Sequence, residues 1–503
     1  MADLLSRRSL IVTGTLATAG ALVPLIRTLT PTDAPADGPP LPALPELDLH
    51  TPQGEPATRT GTLTAGSAGA GRLAYNGTGP GPGPLLRLRE GDRVRLAFRN
   101  DLDAPSSLHL HGVPMPPATD APLAHLAPGQ SDVREFTLPP GSAGTYWYHP
   151  HAHGDVERQL LAGLAGPVIV TGPADDQPAL RNADDRLLMF TRTGRDILVN
   201  GATRPVITAR TGRTRLRLLN ATAGDHLLLA LTRDDERTTA HLIATDSGLL
   251  ERPVPLTEIL LAPGERAEIL VATTAPGRLT LRALPYSVYG PGGQRTPDRP
   301  MAAIDIPAGL DPLQLPASLL PVEKINPATA ARTRRILLDG AGDGSYTIDG
   351  RTFDHDRVDL HTSLDTLEIW EVENTHTMDH PFHLHSYAVQ VLHRDGRPEP
   401  FRAWRDTVNI PAGTTVRLAV PFRGKGGRTV YHCHIAAHED LGMMGILEVA
   451  ETNAPQDEEP TPGTSATGRA CAAGPRSDAG TPPERSPAAS RLPAATSGHA
   501  PGL

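Results

Sequence analysis

The chain has 503 residues, more than one core accommodates, so two to four domains are expected. Lys and Arg number 47 against 56 Asp and Glu, a net charge of −9 with no basic run, which excludes a nucleic-acid or anionic-membrane surface as the main partner and leaves a small molecule. Glycine (49) and proline (52) are abundant and long 3.6-period apolar stripes are scarce, which favours a turn-rich all-β architecture.

In chain order, the first feature is "SRRSLIVTGTLATAGALVPLI", with Arg7 and Arg8 ahead of a mildly apolar run from Leu10 to Ile26. Residues 1–36 are expected to be a twin-arginine-type export signal, cleaved near Ala36. Gly14, Gly20 and Pro24 interrupt the run, so no stable membrane insertion is expected once it is removed, and the protein is expected to be extracellular, periplasmic or at the cell surface.

A weak threefold repeat follows. "GDRVRLAFRN" (91–100), "GRTRLRLLNA" (212–221) and "LDTLEIWEVEN" (364–374) each alternate apolar and polar residues and run into an Asn, as a half-buried strand entering a turn does. Each precedes a Pro/Gly turn and a second alternating strand: "LAPGQSDVREFTL" (126–138), "LAPGERAEILVAT" (261–273) and "IPAGTTVRLAVPF" (410–422). These predict three consecutive β-sandwiches over residues 45–171, 172–308 and 320–450. Residues 451–503, rich in Pro, Ala, Ser, Thr and Gly, are expected to be a disordered tail.

Ten of the twenty histidines fall in four clusters: His109 and His111 in "HLHG", His149 and His151 in "HPH", His380, His383 and His385 in "HPFHLH", and His432, His434 and His438 in "HCHIAAH". All four lie in the outer copies, so only those are expected to carry chemistry. Residues i and i+2 of a strand share a face, so each His-x-His offers two imidazoles to one place. Imidazoles without carboxylates suit copper, zinc, iron or nickel. Cys433, one of two cysteines, narrows the choice. Cys471 sits in a polar stretch without packing signals, so no disulfide between the two is expected. With His432 and His434 on one face, Cys433 faces the other, where His380, His438 and Met443 complete the two-histidine, one-thiolate, weak-thioether set of blue copper. Tetrahedral zinc would want a second strong thiolate.

On these four motifs the stretch from about residue 70 to 450 resembles the three-domain, laccase-like multicopper oxidases. The resemblance implies cupredoxin-like domains holding four coppers: type 1 on Cys433, His380, His438 and axial Met443, type 2 on His109 and His383, and the type 3 pair on His111, His149, His151, His385, His432 and His434. It further implies that single electrons from a small reducing substrate enter at type 1 and reduce O2 to water at the other three, with Asp120 and Glu439 delivering protons. Asp440 competes with Glu439 for that role. His153 matches no ligand position and is expected beside the cluster or its channel. Seven methionines, adjacent only at Met443 and Met444, favour phenols or aromatic amines over Cu(I) as the reductant. A metal-free scaffold is the non-enzymatic alternative.

Overall fold

The computed structural model describes residues 38–79, 81–340 and 344–451; the expected signal, nearly all of the expected tail and Cys471 lie outside them. It is built mainly of strands, arranged as three pairs of sheets: four strands on four, six on six, and seven on five. No helix among the described residues is long and apolar enough to cross a membrane.

The repeat seen in the sequence is a repeat of topology. Strand Arg93–Asn100 lies between a parallel neighbour, Thr58–Gly69, and an antiparallel one, Ser131–Thr137. Arg213–Asn220 lies likewise between Asp184–Thr193 and Arg266–Ala272, and Thr366–Asn374 between Arg332–Gly340 and Thr415–Phe422. The terminal asparagine performs one task three times. Asn100 Nδ2 donates to the carbonyls of Ala104 and Leu126 while Oδ1 accepts from the Leu102 N–H. Asn220 does the same with Asp225, Leu261 and Thr222, and Asn374 with Met378, Ile410 and His376. A side chain carrying both donors and an acceptor can satisfy the backbone on both sides of a strand exit, which neither Asp nor Leu can do.

One expectation is corrected here. Arg93–Asn100 alternates buried and exposed as expected, but Arg213–Asn220 is buried along its whole length. Its arginines do not face water: Arg217 donates to Thr145 of the first sandwich, and Arg213 to the Gln314 and Pro178 carbonyls. Arg215 and Arg217 pair with Glu268, Asp175 and Asp185, and Thr145 of the first sandwich donates to the same Glu268. Buried guanidinium groups survive when paired in this way.

Registry places the histidine clusters. His109–His111 pairs with Gly144–His149, setting His109 opposite His149. In the third sandwich His380–Leu384 pairs with Gly427–Cys433, setting His383 opposite His432 and Phe382 opposite Cys433. The pleat therefore sorts residues: His380, Phe382 and Cys433 face that sandwich's own core, and His383, His385, His432 and His434 face outward toward the first sandwich.

Candidate metal centre

Eight imidazoles, four from each outer sandwich, meet in one buried cluster. His111 Nδ1 lies 3.1 Å from His434 Nε2, and His432 Nε2 lies 3.0 Å from His385 Nε2 and 3.4 Å from His151 Nε2. The donor nitrogens of His109, His111 and His149 lie within 4.8 Å of one another, as do those of His151, His385 and His432, and those of His109, His383 and His385.

The outer nitrogens are fixed, which determines what each ring presents inward. Asp120 accepts from His109 Nδ1 through Oδ1 at 2.7 Å and from His385 Nδ1 through Oδ2 at 2.8 Å. His149, His383 and His432 give Nδ1–H to the carbonyls of Pro150, Asp406 and Cys433. All five offer Nε2 inward. His111 is reversed: its Nε2 bonds Asp406 Oδ1 at 2.9 Å, so it offers Nδ1.

Burial holds these rings neutral. The histidines at 109, 111, 149, 151, 383, 385 and 434 titrate well below the usual imidazole range because a charged ring would be desolvated, and neighbouring histidines push most of them lower still. His432 is lowered to about 4, again chiefly by burial. Neutral imidazole is the ligating form. The Nε2 atoms of His109, His149 and His383 are buried without a hydrogen-bond partner. Unmet polar atoms of this kind each cost about 1–3 kcal/mol, a cost that a bound cation removes. The donor set fits copper.

On the other face of the same strand, Cys433 Sγ lies 3.4 Å from His380 Nδ1 and 3.6 Å from His438 Nδ1, and the two nitrogens are 3.2 Å apart. A trigonal site with bonds of 2.0–2.3 Å has edges of about 3.5 Å, so this triangle accepts one ion at its centre. His380 and His438 are lowered to about 2 and about 3, mainly by burial. Burial raises the Cys433 thiol, so without a metal it keeps its proton, and a cation must displace it. Met443 is buried in the same core, its carbonyl accepting from the Cys433 N–H at 3.0 Å.

The acids separate cleanly. Glu439 is 4% exposed, with Oε1 3.2 Å from His151 Nε2 and Oε2 3.3 Å from His432 Nδ1. Burial, then the neighbouring Asp440, raises its carboxyl well above the ordinary range. Asp440 instead caps the helix Val156–Ala162, accepting from the N–H groups of Val156 and Glu157 at 2.9 Å. His153 stands just outside the cluster, its ring 5.3 Å from His151 and 4.7 Å from His125.

Sequence reasoning passed over three neighbours. Asp406, at the bend between the short strands Trp404–Arg405 and Thr407–Ile410, anchors both His111 and His383, and no local pattern marks it. His376 Nδ1 lies 3.1 Å from His380 Nε2, and Tyr346 covers His438.

Sandwiches of cupredoxin type carrying a thiolate-imidazole site back to back with an imidazole cluster define a copper redox protein. Two family models described as multicopper oxidase match residues 60–175 and 324–453, the first and third sandwiches. The multicopper oxidase mco of Staphylococcus haemolyticus is 30% identical over 404 residues, 75% of this chain and 83% of that protein. This chain belongs to the multicopper oxidase family and is an oxidase. Among solved structures, the multicopper oxidase from Campylobacter jejuni, described as a metallo-oxidase, superposes with a TM-score of 0.72 at 28% identity over 82% of this chain and 96% of that one. The cell division protein FtsP of Dickeya dadantii is also similar, 29% identical over 406 residues, 73% of this chain and 83% of that protein.

Proposed function

We propose that this protein takes single electrons from phenolic or aromatic-amine substrates beside Cys433 and reduces O2 to water at the histidine cluster. Cys433, His380, His438 and Met443 would hold the type 1 copper, His109 and His383 the type 2 copper, and His111, His149, His151, His385, His432 and His434 the type 3 pair. Copper, when bound, supplies the one-electron redox chemistry that these side chains lack. Four substrate oxidations balance the four electrons and four protons that turn one O2 into two waters.

The observation that carries this reading is the alternation of Cys433 with His432 and His434. One strand serves both sites, so the backbone on either side of the thiol is a covalent path to the cluster. Asp120 orients His109 and His385 together, while Glu439 holds a proton on a carboxyl whose Oε1 faces the cluster. Asp120 and Glu439 are assigned to proton delivery on that geometry.

Two other readings are weaker. A metal-free scaffold, suggested by the similarity to FtsP, would bury three unmet imidazole nitrogens to no purpose. Oxidation of Cu(I) or another metal ion is disfavoured by the scarcity of methionine, which is the soft ligand that gathers Cu(I). Export by a twin-arginine-type signal, with function outside the cytoplasm, is part of the proposal and rests on Arg7 and Arg8.

Oxygen uptake with a phenol, an aromatic diamine, bilirubin and Cu(I), compared side by side, is the test. The organic donors should be turned over faster than Cu(I), and Cys433→Ser should lose both the blue colour and the activity while still folding. A wild-type protein that stays colourless after copper loading refutes the reading, and turnover of Cu(I) alone reassigns the substrate.

A further inference from the structure

The middle sandwich contributes no cluster histidine, yet one of its side chains stands directly behind the cluster. Arg266 is 1% exposed and forms a two-pronged ion pair with Asp406, Nη1 to Oδ1 at 2.7 Å and Nη2 to Oδ2 at 2.6 Å. Its other hydrogen bonds go to backbone carbonyls, Nε to Thr145 at 3.1 Å, Nη1 to Gly264 at 3.0 Å and Nη2 to Asp246 at 2.9 Å, while the Asp246 carboxylate lies 3.8 Å from Nη1 and the Tyr146 ring 5.8 Å from the guanidinium carbon. Thr145 belongs to the first sandwich, Gly264 and Asp246 to the middle one, and Asp406 to the third. A single guanidinium therefore joins all three at the edge of the cluster.

Asp406 passes this order on. Its Oδ1 bonds His111 Nε2, and its backbone carbonyl bonds His383 Nδ1, both at 2.9 Å. A carboxylate facing a guanidinium accepts hydrogen bonds and does not donate them. His111 must then carry its proton on Nε2 and offer Nδ1 to the cluster, the reverse of the other anchored rings. The next residue leaves room for this: Gly112 has φ +79°, and a Cβ there would fall 2.3 Å from Arg266 Nη2 and 2.4 Å from Asp406 Oδ2. Gly264 does the same from the middle sandwich, since a Cβ would meet the His434 ring at 2.9 Å.

We propose that Arg266 is a positioning residue of the copper cluster, acting through Asp406 to fix the orientation and tautomer of His111, so that the ligand-free middle sandwich is a working part of the metal site. The proposal rests on the assignment of the histidine cluster to copper given above.

The test uses the full-length protein loaded with copper, as wild type, Arg266→Met, Arg266→Lys, Asp406→Asn and the Arg266→Met/Asp406→Asn double variant. Loss of an outer hydrogen-bond partner typically weakens metal binding 10- to 100-fold. Arg266→Met should therefore keep the blue band of the Cys433 site while its cluster copper is lost to a competing chelator at roughly 10- to 100-fold lower chelator concentration. The electron paramagnetic resonance spectrum of the remaining cluster copper should change too. Arg266→Lys, which keeps the charge but not the fork, should recover part of the loss and serves as the readout if the Met variant does not fold. The double variant should be no weaker than Asp406→Asn, because both changes break one chain of contacts. Arg266→Met and Arg266→Lys that hold cluster copper as tightly as wild type with an unchanged spectrum, or additive losses in the double variant, would overturn the proposal. Wild-type protein that takes up no copper would refute the oxidase reading and this proposal with it, whereas normal wild-type uptake with unaltered Arg266 variants refutes this proposal alone.

Discussion

Tyr346 lies flat on His438, with ring centroids 3.7 Å apart and planes 18° from parallel. The phenol ring thus shields one face of an imidazole that belongs to the Cys433 site, and it is half-buried itself. Removing it admits water next to that site, and a more polar surround favours the more highly charged oxidised ion. Tyr346→Ala should lower the type 1 reduction potential and ease access for bulky donors, and the lost stacking should cost about 0.5–1.5 kcal/mol of stability. Redox titration of the blue band checks the first effect; an unchanged potential would show that the ring is only a lid on the protein surface.

Tyr346 also marks what could not be read beforehand. The clustered histidines are legible because residues two apart on one strand share a face, so a short motif records their geometry, and Cys433 is legible as the residue between two of them. Tyr346, Asp406 and Arg266 reach the sites from distant segments, and nothing in a local pattern reports a contact made 140 residues away. The sandwich repeat was legible for the same local reason, through alternation ending in Asn. Burial of Arg213–Asn220 was not, because a paired arginine and a solvated one are written with the same letter. Glu439 and Asp440 are adjacent and alike in sequence, yet the rotation of about 100° between neighbouring helical residues sends one to the cluster and the other to the end of a neighbouring helix.

Asp120 serves two histidines with its two oxygens, so its amide analogue cannot replace it. Asn offers one acceptor and turns an N–H2 group toward the other ring. Asp120→Asn should leave the blue band intact, weaken copper at His109 or His385 about 10- to 100-fold, and slow O2 reduction. Metal analysis after dialysis against a mild chelator measures this, and full retention of cluster copper would remove Asp120 from its orienting role.

The copper-free protein should be unusually sensitive to acid. In the unfolded chain each histidine takes up a proton near pH 6.5, whereas in the folded chain His432 does so only at about 4, His438 at about 3 and His380 at about 2. The unfolded state binds more protons between those limits, so stability is fully present above about pH 6.5 and falls as pH drops through the window, by about 1.4 kcal/mol per imidazole per pH unit. Urea unfolding of chelator-treated protein at pH 7 and pH 5 should show a large loss, and copper-loaded protein a smaller one, since a bound ion occupies the same lone pairs. Equal stability of the copper-free chain at both values would mean that these rings are not held neutral.

Glu439 is the remaining acid, and its surroundings allow its role to be isolated. It touches no residue of the Cys433 triangle through its side chain, while its two oxygens sit 3.2 Å and 3.3 Å from nitrogens of His151 and His432. Gln has nearly the same shape and cannot give up a proton. Glu439→Gln should therefore keep both the blue band and the copper content, accept electrons from substrate at the wild-type rate, and be slow only when the fully reduced protein meets O2. The deficit should be on the order of 10²–10⁴, the usual contribution of a positioned acid. Stopped-flow mixing of reduced protein with O2 isolates that phase from electron entry. Reoxidation as fast as wild type would take Glu439 off the proton path and leave Asp120 as the one acid in contact with the cluster that the sequence had singled out.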